Sequence, residues 1–502
     1  MAPLLQTEGN YFPLTTIILC MILLIIIKHY FKFSFLRKTP GLPPGPTPWP
    51  IVGNIPHMIK GSSMPHVFLT NLAKTYGPLI SLKLGTKCWI IASSPEAAME
   101  ILKTKDRILS GRYVPHAFPI PYPEINKSSI AWSECNDFWK NLRTLLRTHL
   151  FSNNAMESQA QVWEKSITQL VEFVRSKEGE VLKIADLVSA TAFNLLGNAL
   201  LSRDFLNLDD VMNGDGGLRG VMREYLATLA APNLADFYQI FKNHDVQGLC
   251  KKSRDIADKI RAVWEPIIEQ RRGSGSSYSG QKDYLDTLLQ NGFSNDQINV
   301  QFLELFTAGT DTTSSTVEWT IAELMRNPES MEKVRAEIED GIKEEDLDVL
   351  QLPYVQACIR EALRLYPPAP LLLPHRALET TQVMNYTIPK DAQIMVNLWA
   401  IGRDPSVWEE PLKFKPERFL ESNIDFKGND FEFIPFGAGR RICPGLPMAI
   451  RTIPLILVSL IRFFDWSLPF GKDPRSELNM KEKFALSIEM EHPLELIPKP
   501  RQ

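Results

Sequence analysis

The hydrophobic pattern of the chain begins with one uninterrupted apolar run. Residues 9–27 contain no charged side chain, and their second half is almost entirely Ile, Leu and Met. Such a run can cross a bilayer whose hydrocarbon core is about 30 Å thick. Basic residues follow at positions 28, 32, 37 and 38, whereas only Glu8 is charged before it, so the positive-inside rule predicts a membrane anchor with a cytosolic remainder. A cleaved signal peptide is the alternative, but its basic residues would precede the apolar run.

The pattern changes after this anchor. Residues 40–50 hold six prolines in eleven positions, which indicates a stiff extended spacer. Apolar residues at 79–84 and 88–92 flank Gly85 and predict a β-hairpin, and Ser94 before a proline predicts the start of a helix. Helical patterns dominate the rest of the chain. The predicted segments are an anchor with its basic flank (1–39), a proline-rich hinge (40–50) and a single body (51–502).

Charge and cysteine usage exclude several classes of protein. The formal net charge is −3 at pH 7, which gives no sign of nucleic-acid binding. The 6 cysteines are scattered and no two form a C-x-x-C pair, so the sequence indicates neither a disulfide framework nor a zinc site. A reducing compartment fits this usage best.

One predicted helix has weak helix formers at its centre. Ser294 and Gln297 form a capping box, and the helical pattern then runs to Asn327. Its middle, residues 308–316, reads AGTDTTSST. Glycine costs about 1 kcal/mol relative to alanine in a helix, and each Thr or Ser adds several tenths. Because a purely structural helix seldom places such residues at its buried centre, this composition favours a functional role.

A cysteine near the C-terminus lies in an unusual loop. Residues 436–445 read FGAGRRICPG, and the apolar run that follows predicts a buried helix over 448–464. Cys443 would thus precede a helix N-terminus, with Arg440 and Arg441 beside it. Both features lower the pKa of a thiol and predict a thiolate. The glycines would let backbone N–H groups approach the sulfur and leave room for a flat cofactor. The alternative is a glycine-rich surface turn that happens to contain a cysteine.

This loop resembles the haem-binding loop of the cytochrome P450 family, F-x-x-G-x-R-x-C-x-G. The matching residues are Phe436, Gly439, Arg441, Cys443 and Gly445. The resemblance implies the P450 fold, which is mainly α, a helical bundle with small β-sheets, behind a single N-terminal transmembrane helix. It also implies haem b, with iron held by the thiolate of Cys443. Such a ligand pushes electron density onto iron and favours O–O cleavage.

The same resemblance assigns further cofactor contacts. Arg441 would pair with a haem propionate. A helix predicted over 138–151 carries Trp139 and Arg143 one turn apart, and it is similar to the family's W-x-x-x-R helix, in which both residues hold a propionate. Without the family, a Trp–Arg pair at this spacing is as often a packing contact.

The helix with the weak centre resembles the oxygen-activating helix of the family, A/G-G-x-D/E-T-T/S. The resemblance implies that Ala308 and Gly309 leave space for O2. It also implies that Thr312 bonds the distal oxygen and that Asp311 helps to relay protons.

Charged motifs complete the likeness. Glu361 and Arg364 lie three residues apart, which alone is typical of a surface ion pair. The family's E-x-x-R motif instead pairs with the arginine of P-E-R-F, here Arg418, in a buried network that supports folding and haem retention. Three further cations would dock an acidic electron donor, namely Lys140, Arg147 and Arg440.

Family position also suggests a substrate pocket. Its expected residues are Val114, Phe118, Phe302, Leu305, Ala308, Ala369, Leu371 and Ala485. They are all apolar, and such contacts discriminate weakly between substrates, by about 1–3 kcal/mol per methylene.

The stretches 101–113, 385–397 and 422–447 are similar to the alkaloid-oxidising group of plant microsomal P450 enzymes, which includes N-methylcoclaurine 3'-hydroxylase, berbamunine and corytuberine synthases, and littorine mutase. This implies a monooxygenase of the endoplasmic reticulum membrane with its catalytic domain in the cytosol. Electrons would come from NADPH through NADPH–cytochrome P450 reductase. The expected reaction is hydroxylation of a hydrophobic alkaloid, because the phenol-coupling members carry proline at the position of Ala308.

Several alternatives stay open at this point. The loop 114–123 departs from the benzylisoquinoline hydroxylases, so a tropane ester such as littorine is a second candidate substrate. Phenol coupling, skeletal rearrangement and terpenoid hydroxylation are alternative reactions. A haem-binding membrane protein without turnover is an alternative from another class, but Thr312 and Asp311 argue against it because neither is needed merely to hold haem.

Overall fold

The computed structural model describes residues 16–25, 41–60, 64–120, 123–214, 217–274, 282–341, 349–485 and 487–501. Of the apolar run predicted to cross the membrane, Thr16–Ile25 lies within these ranges and forms a short helix with exposed side chains. The remainder of that run and its basic flank lie outside the described residues.

Helices make up most of the described chain, as the sequence predicts. They are α1 (Thr16–Ile25), α2 (Ile55–Lys60), α3 (Pro65–Tyr76), α4 (Pro95–Met99), α5 (Asp106–Leu109), α6 (Asp137–Leu145), α7 (Asn153–Glu157), α8 (Ala160–Ser176), α9 (Ile184–Leu201), α10 (Leu208–Met212), α11 (Gly217–Ala230), α12 (Leu234–Phe237), α13 (Leu249–Ser274), α14 (Tyr284–Gln290), α15 (Asn295–Arg326), α16 (Pro328–Gly341), α17 (Pro353–Leu365), α18 (Leu398–Ile401), α19 (Leu446–Phe463) and α20 (Pro474–Glu477). Two π-helical turns extend helices, Glu100–Thr104 after α4 and Leu146–Leu150 after α6.

The strands are short and form small sheets. They are β1 (Leu79–Leu84), β2 (Lys87–Ala92), β3 (Gly111–Arg112), β4 (Leu182–Lys183), β5 (His375–Arg376), β6 (Thr381–Val383), β7 (Tyr386–Ile388), β8 (Gln393–Val396), β9 (Phe464–Ser467), β10 (Glu482–Phe484), β11 (Ile488–Met490) and β12 (Glu495–Pro500). Among the described residues the largest sheet has the order β1-β2-β8-β5-β3, and the others pair β4-β12-β9, β6-β7 and β10-β11.

Local signals in the sequence account for several of these elements. The predicted hairpin is confirmed, because β1 and β2 pair antiparallel with Leu84 opposite Lys87. The Ser94 side chain caps α4 by accepting the N–H of Ala97 at 3.3 Å. The capping box at Ser294 is also present, and α15 runs without interruption for 32 residues.

The long helix α15 lies at the centre of the fold and packs against α9, α13, α17 and α19. Its first half joins an apolar cluster with α9 and α13, in which Trp264 stacks on Phe306 with ring centroids 5.4 Å apart. Its second half joins a cluster with α17 and α19, in which Trp319 stacks on Tyr366 at 3.9 Å. The polar centre of α15 therefore lies between two well-packed cores that hold it in place.

Within the described ranges, two helices are long and apolar enough to cross a membrane, α9 and α19. In α9, 78% of the residues are buried inside the fold, and in α19 the fraction is 50%. Both make contacts across the central clusters, so in this chain they are core helices.

Candidate active site

The loop 436–445 places Cys443 directly before α19. The N–H of Cys443 donates to the carbonyl of Phe436 at 2.9 Å, and Gly445 is the N-cap of α19, with Pro447 in its first turn. The backbone N–H groups of Gly445 and Leu446 point to the sulfur of Cys443 as hydrogen-bond donors. This is the helix N-terminus that the sequence predicts.

The expected lowering of the Cys443 pKa is wrong for the protein alone. Burial raises the pKa of this thiol, while the Gly445 N–H, the Arg143 guanidinium and the Leu446 N–H lower it. The helix N-terminus thus acts in the predicted direction, but the cation that helps is Arg143 and not the neighbours in the loop. A coordinated metal ion deprotonates a thiol outright, so a metal bound at this sulfur would hold Cys443 as a thiolate.

The glycines of the loop serve its packing. Gly439 has φ +66, and a Cβ at this position would overlap the carbonyl oxygen of Leu102. Gly439 therefore lets the loop lie against the π-helical turn after α4. Arg440 pairs with Asp106, the first residue of α5, at 3.1 Å. A Cβ at Gly445 would be 3.8 Å from the sulfur, so this glycine borders Cys443 directly.

A cavity separates Cys443 from the centre of α15. It encloses about 700 Å³ of space, part of which is open to solvent. Its lining residues are Phe151, Ala192, Leu195, Leu196, Leu305, Ala308, Gly309, Thr312, Thr313, Phe436, Cys443, Pro444, Gly445, Met448, Ala449 and Thr452. The two motifs that the sequence singles out thus line one cavity.

Hydroxyl groups along α15 are bonded to the helix itself. Thr312 Oγ1 donates to the carbonyl of Ala308 at 2.8 Å, and Thr313 Oγ1 donates to the carbonyl of Gly309 at 2.9 Å. Such bonds satisfy hydroxyls inside a helix, which lowers the cost of the polar run at its centre. The same bond to the carbonyl four residues earlier is made by Thr310, Thr316 and Thr320.

Asp311 is buried and faces α11. Its Oδ1 lies 3.5 Å from Nε of Arg223 on that helix. The Arg223 side chain is 38% exposed and also approaches Asp186 at 3.9 Å. The acid that precedes Thr312 is therefore connected to the protein surface through a half-exposed arginine.

A group of basic side chains, called the basic cluster below, consists of Arg112, Arg143, His375 and Arg441. Arg112 on β3 and His375 on β5 face each other in the antiparallel register, and Arg143 and Arg441 lie close enough to act on the charge of Arg112. Burial, followed by the charge of Arg441, lowers the pKa of Arg112 to about 9. Burial, followed by Arg112, also holds the pKa of His375 well below its usual range, so His375 is neutral at pH 7.

The basic cluster fits an anionic group. In the described part of the chain, the hydrogen bonds of Arg112, Arg143 and His375 go to backbone carbonyls and none goes to a carboxylate. Buried guanidinium groups that repel one another are stabilised by a nearby anion. The two propionates of haem supply such a charge. Arg112 and His375 are not predicted from the sequence, because they come together only through the pairing of two distant strands.

Trp139 supports the basic cluster through its ring. Its Nε1 donates to the carbonyl of Ile130 at 2.9 Å, so that N–H is already bonded. The guanidinium carbon of Arg441 lies 4.8 Å from the ring centroid and that of Arg143 lies 5.5 Å away. The tryptophan therefore positions two arginines by cation–π contacts.

The residues expected around the substrate do not all meet the cavity. Leu305 and Ala308 line it together with Cys443. Phe302 is fully buried, packs edge-on against Trp264 at 6.2 Å, and does not line this cavity. The helix turns this side chain toward α13.

The other expected pocket residues lie elsewhere. Phe118 packs on Trp132 with ring centroids 5.8 Å apart, and Val114 packs against the same small cluster. Leu371 packs on the face of the largest sheet. None of these lines the cavity that contains Cys443. The same is true of two half-buried alanines, Ala369 before Leu371 and Ala485 after β10.

The predicted charge network is present. Arg364 and Glu361 are both buried and form a two-pronged pair, with Nε–Oε2 and Nη2–Oε1 distances of 2.7 Å. Nε of Arg418 donates to Oε1 of Glu361 at 3.0 Å. Arg364 also donates to the carbonyls of Gly402 and Pro411. The network thus joins α17 to the segment that leads to the Cys443 loop.

Comparison with known proteins agrees with this geometry. Residues 43–491 match the family described as Cytochrome P450. The chain belongs to the cytochrome P450 family. It is therefore a P450 monooxygenase that uses haem iron with a thiolate ligand and takes electrons from NAD(P)H through a reductase.

Relatives of this P450 are similar over almost their whole length. Corytuberine synthase from Coptis japonica is 45% identical over 98% of this chain and 98% of its own. A probable (S)-N-methylcoclaurine 3'-hydroxylase isozyme 2 from Coptis japonica is 48% identical over 94% of this chain and 96% of its own. Berbamunine synthase from Berberis stolonifera is 41% identical over 95% of this chain and 98% of its own.

Proposed function

We propose that Cys443 is the axial ligand of the haem iron and that this P450 hydroxylates an alkaloid. The observation that carries the assignment is that Cys443 and the Ala308–Thr312 segment line one cavity. When bound, haem supplies the activation of O2 that the family uses. The names of the similar enzymes, which include N-methylcoclaurine hydroxylases, support an alkaloid as the substrate class.

Arg112, Arg143 and Arg441 would hold the haem propionates. They lie together in the basic cluster, and Trp139 fixes the latter two through its ring. Phe436 lines the cavity beside Cys443, and Gly439 keeps the loop against the turn after α4. Behind the loop, a buried network would support folding and haem retention, formed by Glu361, Arg364 and Arg418.

Thr312 and Asp311 would handle protons. The Thr312 hydroxyl donates a hydrogen bond to the carbonyl of Ala308 at 2.8 Å. Rotation of the side chain would direct this hydroxyl into the cavity. Asp311 precedes it, is buried, and lies beside the half-exposed Arg223. This order of groups leads from solvent to the cavity wall, which is what a proton path to the cavity requires.

The expected reaction is insertion of one oxygen atom into a benzylisoquinoline-type substrate. Ala308 keeps the cavity wall small at the position where the phenol-coupling enzymes are expected to carry proline. Phenol coupling is the second candidate, because two of the similar proteins are named as synthases. The names give no support to a tropane ester such as littorine.

We also propose that the apolar run 9–27 anchors the enzyme in the endoplasmic reticulum membrane with its body in the cytosol. The hinge 40–50 would separate anchor and body. NADPH–cytochrome P450 reductase would dock on the side of Cys443 through Arg147 and Lys140, both exposed. Lys140 pairs with Asp137 and Arg440 pairs with Asp106, so an acidic partner would compete with these two ion pairs.

The reduced protein under carbon monoxide tests the haem assignment. We expect a red-shifted Soret band of the thiolate type, which Cys443→Ser abolishes. A histidine-type band, or a band unchanged in the variant, would contradict it. An alkaloid panel with NADPH and reductase then separates the reactions, because hydroxylation adds one oxygen atom to the product and coupling removes hydrogen atoms.

A further inference from the structure

Glu304 is a buried acid that the proposed mechanism does not use. It lies on α15 one turn before Ala308 and is 9% exposed. Its Oε1 accepts the hydroxyl of Ser129, and its Oε2 accepts the N–H of Ile130 at 2.7 Å and that of Ala131 at 3.4 Å. One carboxylate thus holds three consecutive residues of the segment 129–131.

The same segment holds side chains of the site from its other side. The carbonyl of Ile130 accepts Nε1 of Trp139 at 2.9 Å, and the carbonyl of Ala131 accepts Nε of Arg112 at 3.0 Å. Ile130 and Ala131 therefore each make two hydrogen bonds. The backbone N–H of each donates to Glu304, and the carbonyl of each accepts from a side chain of the site. A shift of the segment would reorient the side chains of both Arg112 and Trp139.

Burial, hydrogen-bond donors and a nearby positive charge all act on the carboxyl group of Glu304. Burial raises the pKa of Glu304 to about 7, although the donors of the segment 129–131 and the charge of Arg441 lower it. Tyr225 on α11 also faces it, since Glu304 contributes to the raised pKa of that phenol. A buried carboxylate is costly unless donors surround it. Among the residues that the structure describes, the hydrogen-bond donors to Glu304 all come from the segment 129–131.

We propose that Glu304 is a positioning residue that ties α15 to the basic cluster through residues 129–131. It fixes the segment whose carbonyls orient Arg112 and Trp139. The inference rests on the proposed propionate role of Arg112. Glu304 acts through this segment and is not a catalytic residue.

The test is haem transfer from the full-length ferric enzyme to excess apomyoglobin, with Glu304→Gln. Glutamine offers one carbonyl oxygen, so at least one donor of the segment loses its acceptor. Loss of a hydrogen bond to a charged group corresponds to about a tenfold change, and we expect haem to leave about tenfold faster. The midpoint potential of the iron should shift as well, because the charges around it move.

Glu318→Gln is the matched control. Glu318 lies on the same helix, is buried, and has its pKa raised by burial to about 7. Its carboxylate accepts the N–H of Leu494 at 2.9 Å, which is far from the segment 129–131 in the chain. We expect the wild-type haem transfer rate and potential in this variant.

All variants are compared at about pH 8, above the Glu304 pKa of about 7, so that its carboxylate is ionised and the donors of the segment 129–131 bond a charged group. A wild-type rate in Glu304→Gln, or equal acceleration in both variants, would overturn the inference.

A second variant covers the case in which Glu304→Gln does not fold. Ser129→Ala removes one donor and should give a smaller acceleration of haem transfer, and no acceleration there would also overturn the inference. Absence of the thiolate-type Soret band in the wild type would instead contradict the proposed function.

Discussion

Nε of Arg223 lies 3.5 Å from Oδ1 of Asp311, so an arginine of α11 faces the acid that precedes Thr312. Burial lowers the pKa of Arg223, but Asp311, Glu489 and Asp186 together raise it above its usual value. The arginine is therefore held by a group of acids at the place where protons would enter.

Replacing Arg223 by Gln should uncouple electron use from product formation. Asp311 would lose its nearest cation while the cavity wall stays unchanged. We expect severalfold less product per NADPH oxidised, with the thiolate-type Soret band intact. Lys252→Gln, at an exposed pair with Glu224, is the control and should stay coupled. Equal coupling in both variants would show that the Arg223 contact plays no part.

Glu361→Gln should destabilise the fold strongly. The Arg364 guanidinium is buried, and the loss of its ionised partner leaves a buried charge, which typically costs about 3–5 kcal/mol. Thermal unfolding and haem content measure the effect. Lys413→Ala, at the exposed pair with Glu410, should change stability by less than about 1 kcal/mol. A small effect of Glu361→Gln would mean that the network relaxes around the loss.

Gly439→Ala should displace the Cys443 loop. The new Cβ would overlap the carbonyl oxygen of Leu102, and the residue has φ +66. Because backbone atoms cannot yield as a side chain can, we expect a loss of the thiolate-type band and a lower melting temperature. Gly220→Ala on α11 meets nothing within 4 Å and should be neutral or stabilising by about 0.5–1 kcal/mol. An intact band in Gly439→Ala would show that the loop can move without losing the ligand.

Short-range signals in the sequence predicted the elements that hold the site. The capping box at Ser294 marks the start of α15, and the glycines and proline around Cys443 mark the start of α19. These signals depend on residues within a few positions of one another, so no tertiary information was needed.

Long-range contacts could not be read from the sequence. Arg112 and His375 meet because β3 and β5 pair, and Glu304 meets residues 129–131 because α15 packs on that segment. In the protein without a bound metal the pKa of Cys443 is raised and not lowered, because burial of the sulfur outweighs the local donors. Phe302 was placed in the pocket because its position along α15 did not show which face would meet α13.

Glu318→Gln should stabilise the protein at high pH and not at low pH. Burial raises the pKa of Glu318 to about 7, with Glu489 and Asp186 also raising it and Arg223 lowering it. A raised pKa in the folded state means that stability is present below the unfolded pKa of about 4.3 and is lost as the pH rises through about 7. Glutamine keeps an oxygen for the Leu494 N–H and carries no charge. We expect a gain on the order of 1–3 kcal/mol at about pH 8 and little at about pH 5, measured by thermal unfolding. A pH-independent difference would contradict the assignment of this titration to Glu318.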